Sequence, residues 1–188
     1  MIPAPVRILF IKQCTIQSLS SFQLVIIMSV LSDTGIVEFI ETQRLKIAPF
    51  QSSNLTPNGY DLTIAEVYIP DTDKRATTGS VEIPGKTWFM ISTREVVTMS
   101  RIVSGHCWIR TSYARKGILS SFGKIDSGFS GTLTLNAFNG SARPVKLDIG
   151  ATFAQLVIDV LERPSGELYA QRSGHYQHQR GVTLSRLD

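Results

Sequence analysis

Residues 110–117 read Arg110-Thr111-Ser112-Tyr113-Ala114-Arg115-Lys116-Gly117, so two guanidinium groups, the Thr and Ser hydroxyls and an ammonium fall in one short stretch. Arginine presents a fixed fork of donors that matches phosphate oxygens. Hydroxyls add short neutral donors, and a helix or turn beginning here would add backbone N–H groups. The stretch is a candidate polyphosphate clamp, although a solvated basic turn fits its composition equally well. Soon afterwards comes Gly123-Lys124-Ile125-Asp126-Ser127-Gly128-Phe129-Ser130-Gly131, which holds one carboxylate in a glycine-rich turn. Asp126 there can orient or deprotonate a water, or it can simply bond its own backbone, the commoner role for Asp among Ser and Gly. Together the two stretches offer a grip for anionic oxygens beside a single acid–base group.

Other chemistries find little support. The chain contains no G-x-x-x-x-G-K-[ST], no G-x-G-x-x-G opening a helix, no H-E-x-x-H and no G-x-S-x-G. Its two cysteines, Cys14 and Cys107, form neither a disulfide framework nor a zinc knuckle, and a reducing cytoplasm is the expected location. Cys107 follows His106 directly, but neighbours on a strand point to opposite faces and do not readily share a proton. The formal charge of +4 suits a polyanionic small molecule as well as nucleic acid and decides nothing alone. The basic residues cluster at the 110–117 turn and near the C-terminus. They do not form the aromatic-interleaved stripes of a nucleic-acid surface.

The elements that must position these groups are mostly strands. The 188 residues, 43% hydrophobic and 18% charged, suit one globular domain with a substantial core. Residues 1–27 read as an N-terminal extension: apolar patches interrupted by a polar interval, too broken for a membrane span and lacking a convincing signal-cleavage site, with Met28 just before the first well-signalled element. Ser32 and Asp33 cap a short helix carrying Ile36, Val37, Phe39 and Ile40 near one face. Beyond Pro49, short stretches rich in Val, Ile, Thr and aromatics alternate with turn signals at Pro57-Asn58-Gly59, Pro84-Gly85, Phe122-Gly123, Asn139-Gly140 and Pro164-Ser165-Gly166, the spacing of an all-β sandwich or barrel. Thr132 to Phe138 alternates as a strand, with Leu133, Leu135 and Ala137 on its oily face. Ala151 to Leu161 reads as a buried strand or a buried helix. The chain thus divides into the extension 1–27, a β domain over 28–162 and a polar segment over 163–188. The last has too little apolar content to pack by itself and is either disordered or ordered by a ligand or neighbouring subunit.

From about Leu31 to Leu187 the sequence resembles the family that unites dCTP deaminases and dUTPases. The resemblance lies in Leu31-Ser32-Asp33, in Pro57-Asn58-Gly59-Tyr60-Asp61-Leu62, and in Arg110 to Gly117 against the family's R-S-S-x-A-R-x-G. It continues through Ile125 to Gly131, Gly150 through Gln155-Leu156, and Tyr176 to Arg186. It implies a homotrimer of distorted jelly-roll (β-clip) subunits with a short N-terminal helix, binding a deoxypyrimidine triphosphate with Mg²⁺ at each subunit interface. Mg²⁺ binds through phosphates and waters more than through protein cages, so no carboxylate cluster is required.

On that resemblance Asp126 is the catalytic carboxylate, aligning a water for attack on the α-phosphorus. Thr111, Ser112 and Arg115 contact the phosphates, supported by Arg110 across the interface, and Gln155 reaches the phosphate chain from its strand. Phe129 packs on the deoxyribose, while Tyr176, Gln179 and Arg180 close over the nucleotide. Without the resemblance, Phe129 and Tyr176 would be read as plain packing. The deaminases carry a glutamate on the strand after this turn, and Asn136 stands in its place. An amide cannot serve as a general base near neutral pH. The zinc route to deamination is also missing, because H-x-E with P-C-x-x-C cannot be assembled. A dUTP diphosphatase is the expected activity. A dCTP deaminase or bifunctional enzyme is the alternative, and a non-catalytic binding relative is the more distant one.

Overall fold

A computed structural model of the protein describes residues 29–186; the extension 1–27, with Cys14 and Met28, and Leu187 at the end of the resemblance lie outside the described residues. Ser32 closes the N-terminus of helix α1 (Asp33–Glu41) as its composition predicts: its hydroxyl accepts from the Gly35 N–H at 3.2 Å, and Ile36 is fully buried.

The rest of the chain is dominated by strands: β1 (Leu45–Ala48), β2 (Leu55–Thr56), β3 (Gly59–Ile69), β4 (Lys74–Ala76), β5 (Ser80–Ile83), β6 (Trp88–Thr93), β7 (Val96–Met99), β8 (Val103–Ile109), β9 (Ile118–Ser120), β10 (Lys124–Ile125), β11 (Ser130–Gly131), β12 (Thr134–Asn139), β13 (Val145–Asp148) and β14 (Thr152–Val160). One α-helical turn, α2 (Thr111–Ala114), joins β8 to β9, and another, α3 (Tyr169–Arg172), follows β14. A large sheet runs in the order β10-β8-β14-β3-β6-β12-β9, with β2 and β4 also paired to β3. A second sheet is ordered β1-β7-β11, and β13 pairs with β5. Ala151 to Leu161 is therefore a strand, and its central position between β8 and β3 explains its nearly continuous apolar sequence. The turn signals from Pro57 to Gly140 fall at or between strand ends, and Pro164-Ser165-Gly166 follows the last strand. Pro57 and Asn58, for example, form the two-residue loop that sets Thr56 opposite Gly59.

The sheets curl around one core in which Tyr60, Phe89, Phe153, Leu62, Ile64 and Ile91 are wholly buried. Phe89 meets Phe153 edge-on at 6.2 Å between centroids. Each such side chain contributes about 1.5–3 kcal/mol by leaving water, so the strands behind the site form a rigid platform. The architecture is the all-β distorted jelly roll that the resemblance implies.

The C-terminal segment lies against its own chain through residue 186, although its apolar content is low. The reason is polar pairing, which a count of apolar residues misses. Gln179 is buried, its carbonyl accepts from the Thr132 N–H at 3.1 Å, and its side-chain amide donates to the Thr132 carbonyl at 2.7 Å. The His178 N–H donates to the Ser130 carbonyl at 2.7 Å, and Gln177 accepts from the Ser130 N–H at 3.1 Å while donating to the Gly128 carbonyl at 3.0 Å. These bonds also make Thr132 a buried connection, so the regular strand begins only at Thr134.

Candidate active site

The Asp126 turn is fastened on both sides. Ile125 pairs with Gly105 on β8, the Gly128 N–H donates to the Met99 carbonyl at 3.0 Å, and the Met99 N–H donates to the Phe129 carbonyl at 2.9 Å. Gly128 sits at φ +83°, where a β-carbon is strained and would in any case meet the Leu168 side chain at 2.6 Å. Buried Ser127 donates to the Val103 carbonyl at 2.8 Å. With these neighbours tied down, Asp126 is left exposed at the edge of a cavity of about 540 Å³.

The cavity floor is the outer face of β12 and β6. Leu135 and Ala137 point into the core, so Asn136, opposite Met90, points out. Phe129 lines one wall, 6% exposed and edge-on to Tyr169 at 5.6 Å. Tyr176, Gln179 and the stretch Thr183-Leu184-Ser185 form the roof. Tyr169 was not singled out from the sequence. An aromatic residue in an otherwise polar tail was the available signal, and its hydroxyl accepts the Tyr176 N–H at 3.1 Å. Lys124 is a further missed wall residue.

Within one chain, the remaining sequence-expected residues lie elsewhere. Helix α2 begins directly after Arg110, and Thr111, Ser112 and Arg115 are exposed on it or at its end, outside the cavity lining. Arg110 pairs with Asp61 at 3.1 Å and donates to the Thr152 hydroxyl. Burial raises the pKa of Asp61, and the Arg110 charge partly counters this. Gln155 is the register partner of Asp61 and donates to the Thr56 hydroxyl, so it belongs to the Arg110 cluster. Arg180 is exposed, donates to the Gln179 carbonyl at 2.8 Å and does not line the cavity.

Cys107 touches the cavity from below, but burial pushes its thiol up to about 12, and neighbouring His106 faces the other way, toward Asp159 at 3.2 Å. Among the described residues no group of three or more His, Cys, Asp and Glu side chains could cage a metal, and no helix is long and apolar enough to cross a membrane. A lone exposed carboxylate fits a cation carried mainly by ligand phosphates.

The family model described as dCTP deaminase-like matches residues 30–161. The chain belongs to the dCTP deaminase-like family. Among family relatives, the dCTP deaminase of Thermococcus gammatolerans is 39% identical over 149 residues, covering 77% of this chain and 91% of that protein. A probable deoxyuridine 5'-triphosphate nucleotidohydrolase of Sulfolobus islandicus rod-shaped virus 1 is 32% identical over 161 residues, covering 85% of this chain and 99% of that protein. The crystal structure of 2'-deoxycytidine 5'-triphosphate deaminase from Agrobacterium tumefaciens shares the fold, with a TM-score of 0.59 at 17% identity, over 71% of this chain and 48% of that one. Family membership makes the chain a nucleotide-processing enzyme.

Proposed function

We propose that this protein is a dUTP diphosphatase. The observation that carries the reading is the pair of side chains offered to the cavity: Asp126 supplies a carboxylate, while the strand position where the family's deaminases carry an acid supplies the amide of Asn136. An amide can hydrogen-bond a pyrimidine edge but cannot carry the proton that ring hydration requires.

In the reaction, Asp126 accepts a hydrogen bond from a water and takes its proton as the oxygen attacks the α-phosphorus. The bond from that phosphorus to the bridging oxygen breaks, giving dUMP and pyrophosphate. Thr111, Ser112, Arg115 and Gln155 hold the phosphate oxygens, and Arg110 supports them. Phe129 packs on the deoxyribose and leaves no room for a 2'-hydroxyl, while Tyr176, Gln179 and Arg180, from the closing segment 163–188, cover the nucleotide. Mg²⁺, held by the phosphates with Asp126 nearby, would neutralise charge on the transferring and leaving oxygens. The separation of the Arg110–Arg115 stretch and Gln155 from the Asp126 cavity within one chain supports a homotrimer in which one copy's clamp serves another copy's carboxylate.

A dCTP deaminase is the second reading, favoured by the 39% identity to a relative of that name. Purified full-length protein given dUTP or dCTP with Mg²⁺, with pyrophosphate and ammonia assayed separately, decides between them. Pyrophosphate from dUTP without ammonia from dCTP is expected, and ammonia from dCTP overturns the proposal.

A further inference from the structure

The roof of the cavity is held by a carboxylate outside it. Glu66, on β3 and 13% exposed, accepts the Val182 N–H at 2.8 Å through one oxygen and Arg75 Nη1 at 2.7 Å through the other. Arg75 is itself fixed, with its guanidinium 4.0 Å from the Tyr68 ring centroid and its backbone opposite Tyr68 in the β3–β4 pair. Val182 is buried on Tyr68 and Met90. Gly181 stands at φ +65°, and a β-carbon there would lie 2.8 Å from the Glu66 carboxylate.

Sheet register connects this contact to the cavity. Glu66, Ser92 and Thr134 form one row across β3, β6 and β12, and Tyr68, Met90 and Asn136 form the row one pleat further along. Thr134 reinforces the first row by accepting the Thr183 N–H at 3.0 Å. The strap is therefore anchored on the row beside Asn136. Its next residues, Thr183, Leu184 and Ser185, are delivered over the cavity floor.

We propose that Glu66 is a positioning residue, the clasp that sets the register of the C-terminal strap over the cavity before any nucleotide arrives. Its importance for turnover rests on the nucleotide reading given above, but the clasp itself does not. A closed strap with its N–H groups committed is a poor protease substrate. Opening is governed by a few bonds, one of them to a charged group.

Limited trypsinolysis of the full chain without ligand, with mass spectrometry quantifying cleavage after exposed Arg180, tests the clasp. Glu66→Ala is expected to speed that cut about tenfold while other sites stay resistant, a factor in line with losing one charge-assisted hydrogen bond. Gly181→Ala leaves Glu66 in place and presses a β-carbon against its carboxylate from the strap side, so it disturbs the same contact and is expected to act in the same direction. Wild-type cleavage rates in both variants overturn the proposal, as does acceleration throughout the chain, which would make Glu66 a residue of the fold. In wild-type protein, an imido-bridged dUTP analogue should slow the Arg180 cut further. If the analogue has no effect while the variants behave as expected, the nucleotide reading fails and the clasp stands.

Discussion

Asp126 and Asn136 face a common cavity from separate elements, the first from a glycine turn after β10 and the second from the outward face of β12. The turn is fixed to β7 and β8, and the strand is fixed to β6, so neither side chain depends on the other for its place. Each can then be changed alone. Asn136→Glu restores an acid where the family's deaminases carry one, and it is expected to bring measurable ammonia release from dCTP. Asn136→Ala should retain pyrophosphate release from dUTP. Ammonia release by the unmodified protein, or none by Asn136→Glu, would count against the role given to this position.

Asp126→Asn keeps the shape of the turn and removes the group proposed to take the water's proton. Pyrophosphate release should fall by about 10²–10⁴-fold, the usual worth of a positioned general base. Binding of a non-hydrolysable triphosphate, read by calorimetry, should change little. Hydrolysis persisting near the original rate would place the base elsewhere.

Phe129 combines a wall of the cavity with a place in the core, where it meets Tyr169. Phe129→Ala should cost about 3–5 kcal/mol of stability, as a large-to-small core change does. Phe129→Leu keeps most of the apolar volume and gives the cleaner test of selectivity. On the proposed role of Phe129 against the deoxyribose, its ratio of kcat/KM for dUTP over UTP should fall.

Most of the architecture could be read from local chemistry. Ser32 capped its helix, and the alternation of Leu133, Leu135 and Ala137 placed Asn136 on the outward face. Three things were hidden, for different physical reasons. The C-terminal segment packs through backbone and amide pairing by Gln177, His178 and Gln179, and hydropathy does not register such bonds. The division of the site into an Asp126 cavity and an Arg110–Asp61–Gln155 cluster is a matter of where strands lie in space, which neighbouring motifs in a sequence cannot express. Tyr169 went unnoticed because only the folded chain brings it to Phe129.

Cys107 offers a check on the cavity's lower boundary. With its thiol pushed up to about 12 by burial, it should resist iodoacetamide at pH 8 in the native protein and react fully once unfolded, as followed on the Cys107 peptide by mass spectrometry. The favourable contribution of the neutral thiol is fully present below about pH 9, its ordinary value, and is lost as pH rises toward about 12. Rapid native labelling would mean that the cavity opens down to the core strand β8.

The Arg110–Asp61 pair gives a pH-dependent prediction of opposite practical range. Asp61 is 14% exposed, and its pKa is raised by burial with Arg110 opposing the rise. A carboxyl whose folded pKa lies above its unfolded value favours folding while protonated. That contribution is complete below the unfolded value near 3.8 and is lost as pH climbs through the folded one. Arg110→Met removes the opposing charge, so the folded pKa of Asp61 should climb further and the acidic form should be favoured over a wider range. The variant should therefore match the original protein most closely near pH 4 and fall behind as pH rises. The deficit should reach about 1 kcal/mol at neutral pH, a modest figure because Arg110 is itself 41% exposed. Thermal melts of both proteins across pH 4 to 8 measure the difference directly. A deficit that is constant with pH would show that Arg110 stabilises the fold through its bond to Thr152 and its packing, with Asp61 playing no part.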